Sequence, residues 1–163
     1  MVAVSAQMVK ALREQTGAGM MDCKKALNET GGVLDDAVDW LRTKGLSAAA
    51  KKAGRVAAEG VVAFSVSKKG GALIEVNAET DFVSRNSDFQ EFSLKLANMT
   101  LEYGDEIENM KMQPYPGSGR TVGEQLTHNI ATIGENMSIR RAKKLNAENG
   151  VVVPYMHNAV APD

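Results

Sequence analysis

At Gly60 the spacing of apolar residues switches from helical to alternating, which rules out both an all-α and an all-β chain. Before the switch, Leu34, Ala37, Val38 and Leu41 recur at i, i+3, i+4 and i+7 with Trp40 beside them, the pattern of a helix with one apolar side. After it, Val62, Phe64 and Val66 alternate with small or polar residues, residues 68–71 supply a turn, and Ala72, Ile74 and Val76 alternate again. This predicts a hairpin with one buried face. Helical spacing then returns, with Ser87 and Gln90 as a capping box and Phe89, Phe92, Leu96 and Met99 on one side, so this helix is expected to cover the hairpin. The expected class is α+β.

The chain opens with three short helical segments. Ser5 fits an N-cap, Met8, Val9 and Leu12 form a stripe, and Gly17 and Gly19 end the first segment. The second spans about residues 21–29 and stops at Gly31-Gly32; the third carries the stripe from Leu34 to Leu41. Segments this short need one another, because an isolated helix below ~12 residues is marginal in water. A three-helix domain is expected over 1–45, an Ala- and Lys-rich helical linker over 46–59, and an α+β core subdomain over 60–163. Within the core, residues 102–119 read as an acidic exposed loop, and Val122, Leu126, Ile130 and Ile133 as a helix. Residues 137–144 and 151–155 read as two strands around the turn Asn149-Gly150. The ending HNAVAPD has no cap or closing element, which suggests a chain shorter than its natural architecture.

Composition narrows function. A 44% hydrophobic and 24% charged chain has enough apolar material to fold. Its 19 basic and 20 acidic residues create no global field for nucleic acid or membrane. The charge is unevenly placed: residues 1–55 carry nine basic and six acidic groups, 56–139 six and twelve, 140–163 four and two. Cys23 alone cannot form an internal disulfide, and with only His128 and His157 besides there is no zinc cluster. The first fifteen residues lack a signal-peptide core and no run approaches ~18 apolar residues, so a cytoplasmic protein is expected.

Several chemical signals have plainer readings. Gly117-Ser118-Gly119-Arg120-Thr121 looks like the end of a phosphate loop, yet Pro114 stands where Gly is needed, Arg120 where Lys is needed, and no strand precedes it. The glycines at 17 and 19 fail the dinucleotide fingerprint in the same way, since they follow a helix. Glu79 and Asp81 could pair, but no nucleophile or imidazole is near, and an N-cap role for Thr80 or Asp81 is the default. Cys23 fits a small core thiol. Arg140, Arg141, Lys143 and Lys144 raise an alternative reading, RNA binding, although no aromatics are interleaved. Met20-Met21 on a Gly-Ala-Gly loop suits an adaptable protein-binding surface, or a core role for one of them.

Four segments in order, TGAGMMDCKKAL, LRTKGLSAAAKKAGRVAAEG, VNAETDFVSRN and IATIGENMSIRR, together resemble bacterial elongation factor Ts over roughly residues 5–157. The resemblance implies a non-enzymatic guanine-nucleotide exchange factor for elongation factor Tu, with no cofactor or metal of its own. It implies that residues 1–45 form a ubiquitin-associated-like domain. It implies that Thr80, Asp81, Phe82 and Val83 form a wedge, with Phe82 entering an apolar pocket of the GTPase near its magnesium and phosphate site. Ile133 and Gly134 would support a neighbouring contact, while Arg13, Met20, Met21 and Lys24 would touch the GTPase elsewhere. Members of ordinary length continue past HNAV into a second core subdomain, so homodimerisation is left open. The exposure of Phe82 is the one property that bears most on this reading, because a Phe just inside a helix start can also be a hydrophobic anchor.

Overall fold

The computed structural model describes residues 4–157 and 159. Ser5 caps helix α1 (Ala6–Thr16) by accepting the Met8 N–H at 3.2 Å, and Gly17 closes it with φ 70°, donating its N–H to the Arg13 carbonyl. Glycine suits that left-handed closure because it has no Cβ to clash. Helix α2 (Met20–Glu29) begins at the methionine pair itself, and α3 (Leu34–Lys52) follows after a turn at Gly31-Gly32. Val9, Leu12, Cys23, Ala26, Leu27 and Ala37 bury together, with Leu34, Val38, Trp40 and Leu41 at the edge.

The expected third helix does not stop near residue 45: one helix of 19 residues runs on through 46–52, the first part of the expected 46–59 linker. Its distal half has a surface to cover: Ala49 packs against the second core, and a Cβ on Gly45 would lie 3.6 Å from the Ala131 Cβ. A helix with a partner along its length has no reason to break at residue 45.

The sheet has the order β1-β2-β3, all antiparallel: β1 (Glu59–Ser67), β2 (Gly70–Ala78) and β3 (Met137–Asn146). Gly60 enters β1 with φ 143°, where an added Cβ would meet the Val76 carbonyl oxygen at 2.1 Å, so only glycine fits. Between Glu75 and Val76 the register with β3 shifts, leaving Arg140 as the extra residue of a bulge. Pairing of Val61 with Val76 and Ala63 with Ile74 turns these four residues to the core. Val62, Phe64 and Val66, the larger alternating set, lie on the opposite face with Leu73. Helix α5 (Ser87–Tyr103) packs on the core face of β1, so that face takes the small Ala63 where Phe64 would overpack it.

Helix α5 (Ser87–Tyr103) buries Phe89, Phe92, Leu96 and Met99 as its spacing predicts. The capping box at Ser87 and Gln90 does not form. Asn86 is the N-cap, accepting from the Asp88 and Phe89 N–H groups, and Gln90 donates to the Ser84 carbonyl at 3.1 Å. The segment expected as an exposed loop contains α6 (Ile107–Met112), fixed by the buried Met110 and Tyr115. Tyr115 packs on Phe92 at 5.6 Å between ring centroids. Helix α7 (Val122–Ile133) has a complete capping box, Thr121 with Glu124, and ends on Gly134 at φ 92°.

Residues 151–155 form no strand, so the expected hairpin with 137–144 across Asn149-Gly150 does not form and β3 stays an edge strand. The segment instead folds over the outer face of the sheet, where Gly71 makes room for Val152: a Cβ there would approach the Val152 Cγ1 to 2.6 Å. Of the ending HNAVAPD, only His157 and Ala159 are among the described residues. No helix among the described residues is long and apolar enough to cross a membrane.

Candidate functional site

Leaving β2, the chain turns at Glu79-Thr80 into the four-residue helix α4 (Asp81–Ser84). Thr80 occupies the N-cap position, yet its side chain makes no cap bond. Its hydroxyl donates to Glu135 Oε1 at 2.7 Å and its N–H donates to Glu135 Oε2 at 3.0 Å. In return the Asn136 N–H donates to Glu79 Oε1 at 2.6 Å, and Asn136 Nδ2 donates to the Arg55 carbonyl at 2.7 Å. Arg55 pairs with Glu79 at 3.5 Å. Two carboxylates thus cross between the segments ETDF and IGEN and fix the residue before α4 in place; bonds of this charge-assisted kind are the stronger ones.

Val83 and Ser84 face inward, and the Ser84 hydroxyl closes the turn on the Asp81 carbonyl at 2.8 Å. Phe82 points the other way. It is 82% exposed, so its hydrophobic surface is unsatisfied while the backbone beneath it is held. Asp81 is exposed and pairs with Arg85 at 3.2 Å. Ile133 packs at the edge of the core, and Gly134 is exposed at the end of α7.

The remaining predicted residues form a separate group. Arg13 is exposed on α1, Lys24 on α2, and Met20 and Met21 are 60% and 75% exposed at the start of α2. Neither methionine is a core residue. The two groups are thus carried by different elements. The structure brings Thr80 and Gly134 together through Glu135 and leaves Arg13, Met20, Met21 and Lys24 on the N-terminal helices.

The other chemical signals resolve into structure. Arg120 does not face a phosphate site; it donates from Nη2 to the Thr16 carbonyl and from Nη1 to Gln125 Oε1, each at 3.2 Å. Thr121 is the α7 cap, and the bridge Pro114–Thr121 takes the place of a preceding strand. Cys23 is fully buried, and burial pushes its thiol pKa up. Arg140 and Arg141 meet Glu75 at 3.7 and 2.6 Å. Burial alone would raise the Glu75 pKa, but the bonds from Arg141 and Asn77 outweigh it and lower it. Lys143 pairs with Asp105 at 3.2 Å, and the Lys144 N–H, then the Lys143 ammonium, hold that carboxyl below its ordinary range. Arg140, Arg141 and Lys143 thus each have a carboxylate beside them, while Lys144 gives Asp105 only its backbone N–H.

The family model for elongation factor TS matches residues 79–161, from the turn before α4 through the last strand and beyond. The chain belongs to the elongation factor Ts family. It is similar to elongation factor Ts of Rhodospirillum centenum, 59% identical over 163 residues, covering 100% of this chain and 53% of that protein. Elongation factor Ts of Zymomonas mobilis is 57% identical over 162 residues (99% and 52%), and that of Rhodospirillum rubrum 59% over 163 (99% and 53%). The chain spans about half the length of these elongation factor Ts relatives.

Sequence reasoning missed Glu135, weighed Glu79 only against Asp81, and met Arg120 only in the phosphate-loop likeness. A carboxylate just after the glycine that ends a helix was the available signal for Glu135; for Arg120 the phosphate-loop likeness pointed the wrong way.

Proposed function

We propose that this chain acts in the cytoplasm as a non-enzymatic exchange factor that promotes GDP release from elongation factor Tu. The observation that carries the reading is the exposed Phe82 on a turn anchored by Glu135. Membership of the elongation factor Ts family supports it. In this reading Phe82 is the contact of the wedge, Thr80 and Asp81 shape its turn, and Val83, expected to share the contact, anchors it from the core side; Ile133 and Gly134 flank it, and Arg13, Met20, Met21 and Lys24 make a second contact from a ubiquitin-associated-like domain over residues 1–45.

Phe82 enters an apolar pocket of the GTPase, and burying a Phe contributes roughly 1.5–3 kcal/mol. Spent on displacing the elements that hold Mg²⁺ and phosphate, this is about one to two decades of nucleotide affinity. A nanomolar GDP complex holds about 12 kcal/mol, so the second contact must contribute as well. Coupling is reciprocal: the factor by which the chain weakens GDP is the factor by which GDP weakens the chain. No bond is made or broken.

Release of a fluorescent GDP from elongation factor Tu tests the proposal. Wild type is expected to accelerate release and Phe82→Ala to lose most of that acceleration. An inactive wild type, or a fully active Phe82→Ala, refutes it.

A further inference from the structure

The two exposed groups are referenced to one helix. At its start, the residue before the α7 cap, Arg120, reaches the last residue of α1; at its end, the residue after the closing glycine, Glu135, holds Thr80. The 12-residue α7 is about 18 Å long at 1.5 Å per residue. It is capped at both ends and works as a rigid bar.

The Arg120 end is built rather than incidental. Thr16 ends α1, so its carbonyl has no partner within the helix, and a guanidinium there also meets the negative end of the helix dipole. Gln125 fixes the fork by accepting the other arm, and is itself held by donating from Nε2 to Asn129 Oδ1 at 2.9 Å. Beside it, His128 lies so close to Gly17 that a Cβ there would come within 3.3 Å of Nε2. Met20 begins α2 four positions after Thr16, and the connection is tied at both ends: the Ala18 N–H donates to the Thr16 hydroxyl at 3.3 Å and the Cys23 thiol of α2 to the Ala18 carbonyl at 3.7 Å.

Resting on the exchange reading, we propose that Arg120 is a positioning residue: its bond to the Thr16 carbonyl sets the spacing between Met20-Met21 and Phe82, so that one GTPase surface meets both. Two contacts on one rigid body bind cooperatively because the second is made at high effective concentration, and a loose joint dilutes it. Removing the Arg120 side chain leaves its backbone bond to the Tyr115 N–H intact, so the fold survives the substitution.

The test has two readouts. In a Cys23→Ala background, spin labels at Lys25→Cys on α2 and Lys68→Cys in the hairpin turn report the spacing in the protein alone. A single narrow distance distribution is expected, broadened by Arg120→Ala and intermediate for Arg120→Lys, which keeps one donor arm and the charge. In fluorescent-GDP release from elongation factor Tu, Arg120→Ala should raise the half-saturating concentration about tenfold and leave the rate at saturation within about twofold, because the wedge is intact. An unchanged distribution, or an Arg120→Ala equal to wild type at every concentration, overturns the role of Arg120 while the exchange reading stands. A wild type that does not accelerate release overturns the exchange reading and this role with it, whatever the distances.

Discussion

Glu135 grips Thr80 with both carboxylate oxygens, one on the N–H at 3.0 Å and one on the hydroxyl at 2.7 Å, across 55 residues of sequence. A helix of four residues cannot hold itself, so the turn that carries Phe82 borrows its rigidity from the end of α7. Glu135→Ala should cost on the order of 2 kcal/mol in urea denaturation, the scale of hydrogen bonds to a charged group, and slow exchange as well. Glu135→Gln, which keeps one acceptor, should fall between. Unchanged denaturation midpoints for both would show that the grip is not holding the turn.

Phe82→Ala separates binding from folding. The ring is 82% exposed, and exposed substitutions usually change stability by no more than about 0.5 kcal/mol. Denaturation should therefore be unaffected while GDP release falls about 10- to 100-fold, the loss expected for one buried Phe. A stability loss above about 1.5 kcal/mol would mean that the ring packs on its own fold.

Cys23 should resist a thiol reagent in native protein. It has no exposed surface and its pKa is raised by burial, with Asp22 adding to the shift, so little thiolate is present and less is reachable. Labelling at pH 8 should be slow and should accelerate with urea as the N-terminal helices open. Prompt labelling without denaturant would contradict the packing of α1 on α2.

His128 makes stability depend on pH. Burial, and then the charge of Arg120, push its pKa down to about 4 from 6.5. The unfolded chain therefore binds the extra proton first as pH falls. The contribution is fully present above pH 6.5 and is lost between there and about 4. Between pH 7 and pH 5 roughly 1–2 kcal/mol should disappear, read as a shift in the urea midpoint. His128→Gln should flatten that window, and a wild-type curve already flat there would refute the burial of a neutral imidazole.

Local signals were legible in the sequence wherever a residue's neighbours along the chain settle its role. Ser5, the Gly17 stop, the stripe of Phe89, Phe92, Leu96 and Met99, and the hairpin turn after Ser67 all act within one helical turn or one tight turn. Asn86 displaced Ser87 as a cap because the two choices differ by one residue and both side chains can accept. The outward face of Val62, Phe64 and Val66 was illegible, since alternation gives a period without saying which phase meets α5. Residues 151–155 have strand composition, but Val152 packs over Gly71 on the outer face of the sheet instead of extending the edge at β3, and only the assembled sheet reveals that. The exposure of Phe82, Met20 and Met21 likewise had to be seen.

The sequence by itself determined an α+β chain with helices before the sheet, the change of period at Gly60, and membership of a family, because periodicity and motif order are properties of neighbouring residues. Tertiary structure alone decided that Arg120 serves Thr16 rather than a phosphate, that Glu135 serves Thr80, and that Phe82 stands in solvent. Each of these joins or separates residues far apart in the chain, and a side chain's partner across such a distance is chosen by the packing of whole elements.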